Sequence, residues 1–237
     1  MLYGTYPPGF SFRDSRIEIK IERKLNKVVY FRSVKDKSVE KILDISSNSK
    51  FLIHPVEPVN IPKHITDYLE VDFRKPVIVS PKGQTVVFLK FPIEIGVFVS
   101  EKNKVDMIDV FTLLKPKYTL YGTPKSGVVC RWYESNVYLE IPKADPLEEG
   151  VLKLRIKNNN DDWAEVKKAV FDSYPMRLFY NDKIVAMQAE MKIFSKYVAE
   201  TSFINQPILD GMTQAVELYA TRVLSLEKRS FMMEWGY

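Results

Sequence analysis

The chain has 237 residues, 46% of them apolar and 27% charged, so it can bury the core of one large or two ordinary domains. Nine Gly against a 13% aromatic share exclude a linker or a disordered chain, and the single Cys excludes an internal disulfide, which fits a reducing cytoplasm. The net charge of +5 comes mainly from Lys interleaved with Glu, with no dense Arg/Lys cluster, so nucleic acid is not expected as a partner.

Lys and Glu in this proportion also match the composition of thermophile proteins. The N-terminal MLYGTYPPGF has no basic region followed by a long apolar core. No apolar run approaches the roughly 18 residues of a membrane span. A cytoplasmic protein without a membrane span is therefore expected.

In chain order, Ser15 to Arg23 alternates strictly, with Ile17, Ile19 and Ile21 on one face, and predicts a half-buried strand. A three-residue loop, Lys24-Leu25-Asn26, with Asn26 left-handed, leads into a second strand whose Val29 and Phe31 are expected to pack on the isoleucines. Short strands follow at Val39 to Ile45 and Phe51 to Ile53. HPVEPVNIPKH carries enough proline to be only an edge or a crossover between sheets. Strands are then predicted at Tyr68 to Phe73, in PVIVS, and at Thr85 to Phe91.

The stretch from Phe91 to Ile141 holds much of the β-forming sequence. In it, Met107 to Leu114 is apolar on both faces and reads as a centrally placed strand. A hairpin turning at Ser135-Asn136 would set Arg131 opposite Glu140, Trp132 opposite Leu139 and Tyr133 opposite Tyr138. Val128, Cys130, Trp132, Leu139 and Ile141 would then face a core.

PKADPLEEG, Pro142 to Gly150, breaks the pattern and marks a domain boundary. Beyond it, Leu152, Leu154 and Ile156 point inward and the chain returns through Trp163 to Phe171, which suggests the opening hairpin of an immunoglobulin-like sandwich. Val185, Met187, Ala189, Met191 and Ile193 mark a buried strand face. After Asn205, Met212, Val216, Tyr219, Val223 and Leu226 recur at steps of four and three and predict a helix over about 206–229. SFMMEWGY reads as a final strand. The fold class expected is mainly β: two antiparallel β-sandwich-like domains, residues 1–142 and 143–237, the second immunoglobulin-like with one long C-terminal helix.

The blocks HPVEPVN (His54 to Asn60), FPIEIGVF (Phe91 to Phe98), KPKYTLYG (Lys115 to Gly122) and MEWG (Met233 to Gly236) resemble an archaeal family that is itself a domain of unknown function. The resemblance runs nearly end to end. It implies an archaeal source and brings no activity, cofactor or catalytic residue with it.

The residues themselves carry little catalytic signal. Two His and one Cys cannot close a tetrahedral zinc site without carboxylates, so no metal is expected. Cys130, facing a core, would be an inert thiol. No phosphate-binding glycine motif occurs, and no cofactor is expected. The loop KPKYTLYGTPKSG and the adjoining strand supply Lys115, Lys117, Lys125 and Arg131 as cations, Tyr118, Tyr121, Tyr133 and Tyr138 as flat polar-tipped surface, and Glu140 as an acid. Such a mixture suits a ligand or a partner surface.

The leading expectation is a non-enzymatic protein that self-associates, as a homo-oligomer, or binds a protein partner. The alternative is a protein that binds a small anionic or sugar-like ligand, or a hydrolase, using the region of Glu94, Asp109, Arg131 and Glu140.

Overall fold

The computed structural model describes residues 2–35, 37–62, 64–102, 104–217 and 230–237. Its strands run β1 Gly4–Tyr6, β2 Phe10–Arg13, β3 Ile17–Lys24, β4 Lys27–Val34, β5 Lys37–Leu43, β6 Lys50–Val56, β7 Tyr68–Val79, β8 Gln84–Pro92, β9 Glu94–Glu101 and β10 Lys104–Phe111. They continue as β11 Tyr118–Tyr121, β12 Val128–Ser135, β13 Glu149–Asn158, β14 Ala164–Asp172, β15 Phe179–Tyr180, β16 Val185–Ile193, β17 Ala199–Ile204, β18 Thr213–Gln214 and β19 Phe231–Met233. The protein is mainly β, in sheets consistent with β-sandwich architecture.

The chain forms two compact units, Met1–His54 with Ile95–Leu113, and Pro55–Glu94 with Leu114–Tyr237. The boundary expected at Pro142 to Gly150 falls inside the second unit, where β13 pairs with β8 along its length.

The first unit holds two four-stranded sheets, ordered β2-β3-β4-β5 and β1-β6-β9-β10. The isoleucine face of β3 is buried, as its alternation predicts. The loop after it is two residues long, closing at Lys24 opposite Lys27, and the left-handed residue is Leu25 rather than Asn26. A loop shorter by one residue reverses the side-chain parity of the returning strand. Val28, Tyr30 and Val34 are therefore the residues buried on β4, and Val29 and Phe31 are only half-buried.

Between the sheets, Tyr30 donates a 2.7 Å hydrogen bond to Asp109 Oδ2, and Arg32 Nε donates to the same oxygen at 2.6 Å. The strand expected to be central, β10, ends its sheet, with a bulge between Met107 and Asp109.

In the second unit one sheet is ordered β11-β12-β7-β14 and the other β18-β15-β16-β13-β8, with β17 on β16 and β19 on β17. HPVEPVN changes sheets, as its prolines predict: β6 belongs to the first unit's sheet and β7 to this one. YLEVDF and PVIVS are one strand, β7, because an irregularity between Val166 and Lys168 of β14 takes up Phe73 to Pro76. A bulge is where a sheet accommodates a proline.

The all-antiparallel expectation fails twice, since β12 pairs parallel with β7 and β13 parallel with β16. The expected hairpin of β13 with β14 is also overturned, because β14 leaves for the other sheet and pairs with β7. The inward faces of β13 and β16 are buried throughout as predicted. Gly150 lies opposite Phe91, where a Cβ would come within 2.4 Å of the buried ring. A glycine is required there for close approach rather than for its φ.

Met212 to Glu217 contain no helix: the chain turns after Ile204, and Thr213–Gln214 pair with β15. Met212 packs beside Ile184 and Ala186, while Val216 is only half-buried. The step of four and three was thus not a helical seam in this part, where Gly211, left-handed, and the extended pairing of β18 decide the conformation. The rest of the expected helix, 218–229, lies outside the described residues. The final strand is present as β19, and among the described residues no helix is long and apolar enough to cross a membrane.

Candidate functional site

The expected hairpin from Val128 to Ile141 does not form. Strand β12 pairs with β11 on one side, Arg131 opposite Tyr118, and with β7 on the other, Arg131 opposite Leu69. Residues 136–141 leave the sheet; Tyr138 bridges Phe88 of β8, and Leu139, expected in the core, is 84% exposed. Glu140 is exposed and stands opposite no residue of β12. Pattern alone favoured the nearest partner in sequence, whereas a buried strand satisfies its backbone from whichever edge the packed sheet supplies.

Because β11 ends at Tyr118, the remainder of β12 is flanked by the segment carrying Lys115 and Lys117, held by a 2.9 Å bond from Trp132 N to Lys117 O. A cavity of about 340 Å³ opens there, lined by Arg74, Pro92, Leu114, Lys115, Lys117, Arg131, Trp132, Tyr133 and Glu134. Four cations and one carboxylate give it a positive field. Lys117 Nζ lies 5.4 Å from the Trp132 ring centroid, and Trp132 Nε1 donates to Asp72 Oδ2 at 2.9 Å, which fixes the indole.

Arg131 is 1% exposed, and its Nε and Nη1 are buried with no hydrogen-bond partner. Its guanidinium lies 5.8 Å from the Tyr118 ring, whose hydroxyl donates to Ile61 O at 2.7 Å. Its electrostatic counterpart is Glu94, fully buried, which accepts from Asn60 N at 3.0 Å and from Ile61 N at 3.3 Å. A guanidinium carries five donors in a fixed fork, and leaving any of them buried and unmet is costly.

Burial pushes the Glu94 carboxyl from 4.5 up to about 7, against the backbone donors of Asn60, the Arg131 charge and the Ile61 donor, which all lower it. A raised carboxyl means that the folded chain holds a proton the unfolded chain has released. Its contribution is complete below about pH 4.5 and is lost as the pH climbs through 7. Stability measured by urea unfolding should fall by up to about 3 kcal/mol across that window, at 1.36 kcal/mol per unit. Glu94→Gln should flatten this part of the profile; an unchanged profile would assign the dependence elsewhere.

The structure thus gathers Lys115, Lys117, Arg131 and Tyr133 from the residues singled out in the sequence. Tyr138 lines a smaller neighbouring cavity. Tyr121 is structural: it donates to Gly236 O, accepts from Trp235 N and stacks edge-on against Trp235. Lys125 is exposed in the turn before β12 and lines neither cavity, and Asp109 belongs to the first unit.

Arg74, Trp132 and Glu134 were missed as site residues. Arg74 could have been suspected from the Arg-Lys-Pro break inside β7, but nothing in sequence brings it to β12. Cys130 is fully buried and its thiol is pushed up to about 12 by burial and the Glu70 charge, so it stays protonated. Burial pushes the His54 imidazole down to about 4. Among the described residues no cluster of three His, Cys, Asp or Glu is placed to hold a metal ion.

Fold and site together define a mainly β protein with a cationic pocket at a sheet edge of its second unit. The family described as Protein of unknown function (DUF432) matches residues 2–234, nearly the whole chain, and the chain belongs to that family. No curated protein and no solved structure matches it.

Proposed function

We propose that this protein binds a small anionic ligand in the pocket around Arg131. The supporting observation is the convergence of Arg74, Lys115, Lys117 and Arg131 on one cavity, with the Arg131 guanidinium buried in its wall and two of its nitrogens making no hydrogen bond. Cations with unmet donors are stabilised by a carboxylate or phosphate, and a planar fork selects such groups by geometry. The volume is within the range of small-molecule sites. Carboxylate chemistry of the hydrolase kind has less behind it, since Glu140 is remote in pairing from Arg131 and Glu94 is committed to the Asn60 and Ile61 amides.

Purified protein titrated with inorganic phosphate, sulfate and small carboxylates at low ionic strength should show a rise in Tm with at least one of them. At a hundredfold excess over Kd the stabilisation would be about 2.7 kcal/mol, and added salt would weaken it. The absence of any shift at millimolar anion would overturn the reading.

Self-association has support in exposed apolar side chains, notably Ile42 on the edge strand β5, Leu139 and Trp163. They lie on separate elements, and isolated exposed apolar residues are ordinary on monomers. Light scattering measures this directly, and a stable dimer would give the surface reading precedence.

A further inference from the structure

We infer that the anion is one end of a longer ligand whose other end is a polyhydroxyl group, as in a sugar phosphate. This deepens the anion-binding proposal and rests on it. A second cavity of about 160 Å³ is lined by Lys90, Ser135, Asn136, Tyr138 and Glu149 together with Arg74, Tyr133 and Glu134. The last three also line the cationic cavity, so the two adjoin. The Arg74–Glu134 ion pair, 2.8 Å and exposed on both sides, belongs to both walls and marks their border.

The chemistry of the two compartments differs. The larger is dominated by cations, whereas the smaller alternates donors and acceptors. Glu149 accepts from Lys90 Nζ at 2.8 Å and from the Tyr133 hydroxyl, which leaves lone pairs on a carboxylate that can accept about four bonds. Asn136 Nδ2 is 3.5 Å from the Tyr138 hydroxyl, too long to hold either group strongly. Ser135 Oγ accepts from Lys90 N and donates to Asn136 O, which pins the turn that presents these side chains.

Hydroxyl groups are both donors and acceptors, so a polyol can meet such a wall, while a second anion gains no net attraction there, because Glu134 and Glu149 already pair with Arg74 and Lys90. The space equals about five waters at roughly 30 Å³ each, which one polyhydroxyl ring would displace. Tyr133 lines both compartments and supplies apolar ring surface between them.

Calorimetric titration with inorganic phosphate, free glucose and glucose 6-phosphate tests this on the full chain. Glucose 6-phosphate should bind about tenfold more tightly than phosphate. Asn136→Ala and Tyr138→Phe should each erase most of that gain while leaving phosphate affinity unchanged, and Lys117→Ala should weaken both ligands. If phosphate binds but the hexose adds nothing, or the gain survives both variants, the polyol compartment is refuted and the anion site stands. If neither phosphate compound binds, the sugar-phosphate reading falls, and the anion site then stands or falls with sulfate and the small carboxylates.

Discussion

Replacing Arg131 by methionine should strongly weaken anion binding while leaving the fold intact under mildly acidic conditions. Truncating one buried partner of a charged contact costs about 2–5 kcal/mol, so phosphate affinity should fall about thirtyfold or more. Stability should move differently. Arg131 is buried with two unmet nitrogens, and its strand neighbour Leu69 is a fully buried apolar residue. Methionine fills a similar length without a desolvated charge, and exchanging buried charge for apolar volume is often neutral or stabilising.

The companion carboxyl sets the pH at which that holds. Below about pH 6 Glu94, with its carboxyl raised to about 7, is protonated and loses little when Arg131 goes. Above 7 it must ionise without its neighbouring cation, so the variant should become less stable than the parent there. Tm at pH 6 and pH 8, with and without phosphate, reads both effects. Phosphate affinity within twofold of the parent would remove Arg131 from the site.

Asp109→Ala should be the most damaging single change in the first unit, costing about 3–5 kcal/mol. Asp109 Oδ2 receives both Tyr30 and Arg32, and the side chains of Arg32 and Asp109 are each only 9% exposed. Arg32 also lies 4.8 Å from the Phe111 ring centroid, so its position is fixed from two sides and it cannot follow water outward when the carboxylate is gone. Burial, and then the charge of Asp109, hold the Tyr30 hydroxyl far above its ordinary value, so it remains a donor at any working pH.

Tyr30→Phe removes only a neutral donor and should cost about 1 kcal/mol. The double change Arg32→Met with Asp109→Leu should recover most of the loss, because an apolar pair needs no desolvated charge. Urea unfolding of the three variants separates these terms. A loss below about 1 kcal/mol for Asp109→Ala would show that the cluster contributes little net stability.

The site was half legible in the sequence. Lys115, Lys117, Arg131 and Tyr133 stand close together in the chain, so their types and order were enough to single them out. Arg74 lies more than forty residues away, and only the parallel pairing of β7 with β12 brings it alongside. Glu140 and Tyr138 were placed opposite β12 by the symmetry of a hairpin, whereas β11 and β7 occupy both edges of that strand. The helix expected after Asn205 failed over 206–217 for a related reason. A step of four and three is also compatible with turns whose apolar residues meet a sheet singly, as Met212 does.

By itself the sequence determined which faces of its most regularly alternating strands are buried. The alternations of Ile17, Ile19 and Ile21, of Leu152, Leu154 and Ile156, and of Val185 to Ile193 all lie in cores, because a period of two is a property of each strand alone. The tertiary structure alone decided which strands are neighbours. The parity of β4 turned on a single loop residue, and β7 as the second partner of β12, like the partners of β13 and β14, lies far away in sequence. The buried guanidinium of Arg131 belongs to that second kind of information: its type is written in the chain, but its burial, and the two nitrogens left without a hydrogen bond, exist only once β11, β12 and β7 have come together.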